Sequence, residues 1–109
     1  MRTPAYNRAA MHATPLPDLI LYGRPGCELC AGARDLVAGA LAERQAAGLT
    51  APSLVDRDIE TDDAWLRAYL ATIPVLELGD RRLELVTSLA KVRRFLAESL
   101  DTQAVVDAR

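Results

Sequence analysis

Two cysteines, Cys27 and Cys30, are the residues whose type and spacing point to a specific chemistry. Thiols that reach each other can cycle between dithiol and disulfide, and so exchange two electrons with another disulfide. Glu28 and Leu29 separate them, and an i, i+3 spacing sets both on one side of a helix. Cys27 is expected where that helix begins, so that free backbone N–H groups and the positive end of the dipole favour its thiolate. An ordinary thiol of pKa ~8.5 is only about 3% ionised at pH 7, and a drop of about two units makes it mostly thiolate. Arg24 assists from three residues upstream, and the Glu28 carboxylate opposes. Cys30 falls one turn later on the apolar stripe. It is expected to be a shielded thiol that attacks once Cys27 has formed a mixed disulfide.

Two other uses of the pair compete with exchange. A structural bridge closing so short a loop contributes roughly 2 kcal/mol, against nearly 5 for a long one, and is a weak staple. A structural zinc site needs four ligands, and the chain offers Cys27, Cys30 and a remote His12. A metal or iron–sulfur cluster would therefore need a second subunit or an outside thiol. That non-catalytic binding module is the alternative from a different functional class.

The elements that must position the pair read clearly. Leu19-Ile20-Leu21-Tyr22 is apolar on both faces, as a central strand requires, and Gly23-Arg24-Pro25-Gly26 ends it. Leu29, Ala33, Leu36, Val37, Ala40 and Leu41 follow at helical spacing, and Gly48 closes the helix with Leu49 packing back. Leu54–Ile59 is strand-like but charged, which suits a sheet edge. Thr61 is expected to cap a second helix that buries Trp65 or Leu66 with Tyr69 and Leu70, ending before Ile73-Pro74. Val75–Leu78 and Arg82–Leu85 alternate around Gly79-Asp80, a hairpin with a type II′ turn that sets Glu77 opposite Arg82. The last helix carries Leu89, Val92, Leu96 and Leu100, with Thr87 or Ser88 as cap. Trp65 and Tyr69 read as core packing; Arg81-Arg82 and Arg93-Arg94 read as solvated charge.

The resulting order is β-α-β-α-β-β-α. It is expected to span residues 19–100, with an unstructured extension over 1–18 and a frayed tail over 101–109. One domain accounts for 109 residues, and the net charge of -2 offers no basic stripe for nucleic acid. No apolar run approaches the roughly 20 residues that span a bilayer, and the N-terminus lacks a secretory h-region. A cysteine pair without an export signal implies the reducing cytoplasm.

Two segments together resemble the glutaredoxin family. Tyr22-Gly23-Arg24-Pro25-Gly26-Cys27-Glu28-Leu29-Cys30 is similar to its active-site segment, where a tyrosine and a basic residue precede Cys-Pro-Tyr-Cys. Thr72-Ile73-Pro74-Val75 is similar to its Thr-Val-Pro segment. The resemblance runs from Leu19 to about Leu100 and is strongest to short bacterial glutaredoxin-like proteins with a non-standard Cys-x-x-Cys.

The resemblance implies an α/β thioredoxin fold, a four-stranded mixed sheet flanked by three helices, with the first and third strands central. It implies a thiol–disulfide oxidoreductase with Cys27 and Cys30 as catalytic residues. Arg24, Thr72, Ile73 and Pro74 would bind substrate, with Pro74 cis, Ile73 pairing with an extended thiol, and Arg24 on a carboxylate. It implies no resident cofactor or metal, and a monomer acting on a thiol or disulfide of a protein or of glutathione, with glutathione a candidate reductant. Two departures weaken the glutathione part of this expectation. Glu28-Leu29 replaces Pro-Tyr, and Leu85-Val86-Thr87-Ser88 replaces a Gly-Gly segment and its acid.

Overall fold

The computed structural model describes residues 16–101. Most of the expected N-terminal extension, including His12, and nearly all of the expected tail lie outside the described residues. Within them the order is β1 (Leu19–Gly23), α1 (Glu28–Ala46), β2 (Leu54–Asp58), a 3-10 turn (Ile59–Thr61), α2 (Asp63–Tyr69), β3 (Val75–Leu78), β4 (Arg81–Leu83) and α3 (Leu89–Leu100). The four strands form one mixed sheet in the order β2-β1-β3-β4. The charged β2 lies at an edge, parallel to β1, and β3 is antiparallel to both β1 and β4.

Strand alternation divides the core into two layers. Leu19, Leu21, Leu76 and Leu78 face α1 and α3, where Ala33, Val37, Val92, Phe95 and Leu96 complete the main cluster. Tyr22 and Val75 face the other way and pack with Ile59 and Tyr69 under α2. Among the described residues no helix is long and apolar enough to cross a membrane.

Local chemistry sets the element ends. Gly48 N–H donates to Gln45 O at 3.1 Å and Leu49 N–H to Arg44 O at 2.8 Å, the paired bonds of a Schellman ending. Leu49 is nevertheless 49% exposed, so its expected packing onto the last turn does not occur. Asp62, not Thr61, caps α2; its carboxylate accepts from Ala64 and Trp65 N–H. Thr61 belongs instead to the 3-10 turn, its hydroxyl donating to Asp58 O at 2.7 Å. Ser88 caps α3. Glu77 does face Arg82 across the hairpin, and of the two turn residues only Gly79 has positive φ, as a type II′ turn requires.

Besides Leu49, three apolar residues depart from their expected burial. Leu29 is 59% exposed, because the buried face of α1 runs through Cys30, Ala33, Val37, Ala40, Leu41 and Arg44, about 100° away around the helix. Leu70 is 49% exposed at the end of α2. The fourth strand stops at Leu83 instead of Leu85. Leu85 takes a left-handed φ of 50° and is 53% exposed, as the chain swings to bond the segment before β3.

Candidate active site

Cys27 is the N-cap of α1, with extended backbone (φ -95°, ψ 108°) and Gly26 in the left-handed region before it. Its Sγ accepts the N–H of Cys30 at 3.1 Å. A sulfur thus takes the place that an Asp or Ser oxygen holds at other helix starts. An unsatisfied helix N–H aimed at a sulfur favours that sulfur's anionic form. Cys27 and Cys30 are joined as a disulfide, with their Cα atoms 5.2 Å apart. Cys27 is half-buried while Cys30 is only 9% exposed, so Cys27 is the more accessible sulfur of the two.

Cys30 rests against the end of β1. A Cβ built on Gly23 would lie 3.1 Å from Cys30 Cβ and 3.2 Å from its Sγ. Ordinary carbon contacts are about 3.5–4.0 Å, so a bare backbone is what lets the cysteine sit there. Tyr22 pairs with Val75, which sets Pro74 beside Gly23 at the same end of the sheet.

The segment before β3 is tied down mostly through its backbone. The Ile73–Pro74 peptide is cis. Thr72 and Ile73 N–H both donate to Tyr69 O, at 2.9 and 3.0 Å. Leu85 N–H donates to Thr72 O and Val86 N–H to Pro74 O, at 3.1 and 2.9 Å. Of the two groups through which Ile73 could pair with an extended substrate, the N–H is therefore engaged. The carbonyl makes no hydrogen bond among the described residues.

Arg24 is exposed and lines a cleft with Cys27, Cys30, Arg34, Asp56 and Asp58, on the β2 side of the disulfide. Thr72, Ile73 and Pro74 do not line it. The candidate binding residues thus fall into two groups, with the end of β1 between them. Arg34 and Asp56 form an ion pair across the cleft at 3.0 Å.

One feature beside the site was not read from the sequence. Tyr22, the residue before Gly23, donates its hydroxyl to Glu77 Oε1 at 2.9 Å and stacks on Tyr69 with ring centroids 4.3 Å apart. Burial holds the Tyr22 phenol well above its usual range, and the adjacent Glu77 carboxylate adds to the effect. The Trp65 ring meets Tyr22 edge-on at 5.8 Å. This stack braces Tyr69, whose carbonyl holds Thr72 and Ile73. The clue was the helical spacing of Trp65 and Tyr69, but their partner came from a distant strand. Among the described residues, no group of three or more His, Cys, Asp or Glu side chains is gathered as a metal would need.

A mixed sheet in this order, three helices, and a Cys-x-x-Cys pair at the first strand–helix junction define a thioredoxin-like fold. The chain belongs to the glutaredoxin-like domain (DUF836) family, whose model matches residues 18–105. Among solved structures it is similar to the X-ray structure of Northeast Structural Genomics target protein XcR50 from X. campestris. The two share 28% identity and a TM-score of 0.60, over 73% of this chain and 96% of that one. No curated protein matches the chain.

Proposed function

We propose that this chain is a cytoplasmic, monomeric thiol–disulfide oxidoreductase. The observation that carries the reading is the asymmetry of its pair: Cys27 accessible at a helix N-cap and accepting an N–H, Cys30 shielded one turn behind it. In the reduced protein the Cys27 thiolate attacks a substrate disulfide. A new S–S bond forms to one substrate sulfur, and the other leaves as a thiolate that solvent protonates. Cys30, once deprotonated, attacks Cys27 Sγ, forms the Cys27–Cys30 disulfide and expels the second substrate thiolate. The substrate gains the two electrons that the pair loses. Two outside thiols, a protein dithiol or two glutathione molecules, restore the pair by the reverse exchange and leave as a disulfide.

Arg24 faces an anionic group of the substrate, and Thr72, Ile73 and Pro74 flank the attacked sulfur on the other side. The exposed Leu29 beside Cys27 and the hydroxyls of Thr87 and Ser88 offer glutathione few polar anchors. Glutathione is therefore a weakly saturating partner in this reading.

Trapping tests the assignment. Cys30→Ser keeps the nucleophile but lacks the thiol that releases the partner, so Cys30→Ser recovered from cells should carry a stable mixed disulfide on Cys27. Cys27→Ser should carry none. Mass spectrometry of the adduct separates glutathione from a protein partner. Equal trapping by the two variants, or trapping by neither, refutes the assignment.

A further inference from the structure

Three of the thirteen Lys and Arg residues converge on one cleft between β4 and α3, at the sheet edge opposite β2. Arg81, Lys91 and Arg94 line it with Phe95 and Glu98, whereas the Arg82 guanidinium lies 5.4 Å over the Tyr69 ring on the other face of the sheet. The fold splits the sequence pair Arg93-Arg94. Arg93 bonds Glu43 of α1 at 2.6 Å, while Arg94, about 100° further round the helix, joins the cleft. Arg81 is held in place, 3.2 Å from Glu98 Oε1 and 5.9 Å above the Phe95 ring. The Lys91 and Arg94 side chains make no hydrogen bond or ion pair among the described residues. Three cations thus face the single lining carboxylate of Glu98, in a chain whose net charge is -2.

The backbone at this edge is also open. Leu19 N–H donates to Ser53 O, so β1 bonds β2 through Leu19 and alternate residues, and bonds β3 through Ile20 and Tyr22. Glu77 and Val75 are then the residues of β3 that bond β1. Leu78 and Leu76 bond Arg81 and Leu83 of β4. By the same alternation the N–H and C=O of Arg82 point outward from the sheet.

Basic side chains on an edge strand discourage pairing between copies, which accounts for Arg81 and Arg82. It does not account for Lys91 and Arg94, which come from a helix. We propose that the β4 edge docks an acidic, extended polypeptide segment of a partner protein. The segment adds as a strand beside Arg82 and sets carboxylates against Arg81, Lys91 and Arg94. Strand addition supplies main-chain hydrogen bonds, and the complementary charge supplies register and encounter rate. An outward donor and acceptor on one residue match a peptide backbone better than a free anion.

The test uses the full-length oxidised protein, labelled with nitrogen-15 and titrated with a short alternating Glu-Val peptide. Saturable amide shifts are expected at Arg82 and along the facing turns of α3, weakening as added salt shortens the screening length. The matching Lys-Val peptide should produce none. Arg81→Glu combined with Lys91→Glu and Arg94→Glu alters only exposed side chains and should weaken binding by about tenfold or more. An unchanged far-ultraviolet dichroism spectrum checks its fold. Shifts elsewhere, or undiminished binding by the triple variant, overturn the proposal. Equal shifts with inorganic phosphate or a short RNA also overturn it, in favour of an anion or nucleic-acid site.

Discussion

Replacing Gly23 by Ala tests the packing on which the shielded cysteine depends. Gly23 has an ordinary extended φ, so alanine fits the backbone and would on its own stabilise by about 0.4–1 kcal/mol through the unfolded chain. Against that, its Cβ would meet Cys30 Cβ at 3.1 Å and Sγ at 3.2 Å. Overpacking of this kind costs about 1–3 kcal/mol in a closed site, and Cys30 is only 9% exposed. The net expectation for the oxidised protein is a loss of about 1–2 kcal/mol, or roughly 5–10 °C in Tm for a domain of this size.

The reduced protein should lose less. Once the bond to Cys27 opens, the Cys30 sulfur is free to turn to another staggered rotamer, which relieves the Sγ contact and leaves only that between the two Cβ atoms. A difference of about 1 kcal/mol between the two forms raises the two-electron potential by about 20 mV, making the pair more oxidising. Thermal melts of both redox forms, with equilibration against a dithiol couple of known potential, measure both effects. An oxidised Gly23→Ala that melts at or above the parent temperature refutes the argument that Cys30 requires a bare backbone at Gly23. A larger loss in the reduced form refutes the redox half.

Two further expectations rest on buried polar groups. Tyr22 ionises well above the ordinary tyrosine value of 10.0 in the folded protein, because burial and then Glu77 disfavour the phenolate. Its contribution is therefore complete below about pH 10 and is lost as pH rises toward the folded value. Urea midpoints measured from neutral to strongly alkaline pH should fall more steeply in the parent than in Tyr22→Phe, and equal slopes would remove Tyr22 from the account. Arg44 is buried on α1, bonding Thr50 O at 2.6 Å and the Asp101 carboxylate twice, at 2.7 and 3.2 Å. Arg44→Met should cost about 2–4 kcal/mol in urea unfolding, and Asp101→Asn distinctly less, because the amide oxygen can still accept from Arg44 and the bond to Thr50 O is kept.

What could be read in advance divides according to how far apart in the chain the interacting groups lie. Cys27 as a helix cap was legible because everything that places it is local: an apolar strand, a Pro-Gly turn and a helical period beginning at once. The charged second strand was legible as an edge because its own side chains forbid burial on both faces. Leu29 was misplaced because an apolar residue type does not state its phase. The cap at Cys27 sets that phase, and it turns Leu29 outward while Cys30 turns in. Thr61 lost the α2 cap to Asp62 by a single position, since both side chains have capping chemistry and only the path out of β2 chooses between them. Arg44 with Asp101, and Tyr22 with Glu77, are separated by 57 and 55 residues, and nothing local in either partner signals the other. The same holds for the basic cleft, where one arginine of a hairpin and two cations of a helix look like ordinary solvated charge until the packing of α3 beside β4 sets them side by side. The wall around Ile73 lies between these cases. Its proline was visible, but the bond that occupies the Ile73 N–H comes from Tyr69 O at the end of α2, where helix and strand must meet at a definite angle. The cysteine pair at its helix start could therefore be read from one stretch of chain, whereas the surface around it is assembled from several.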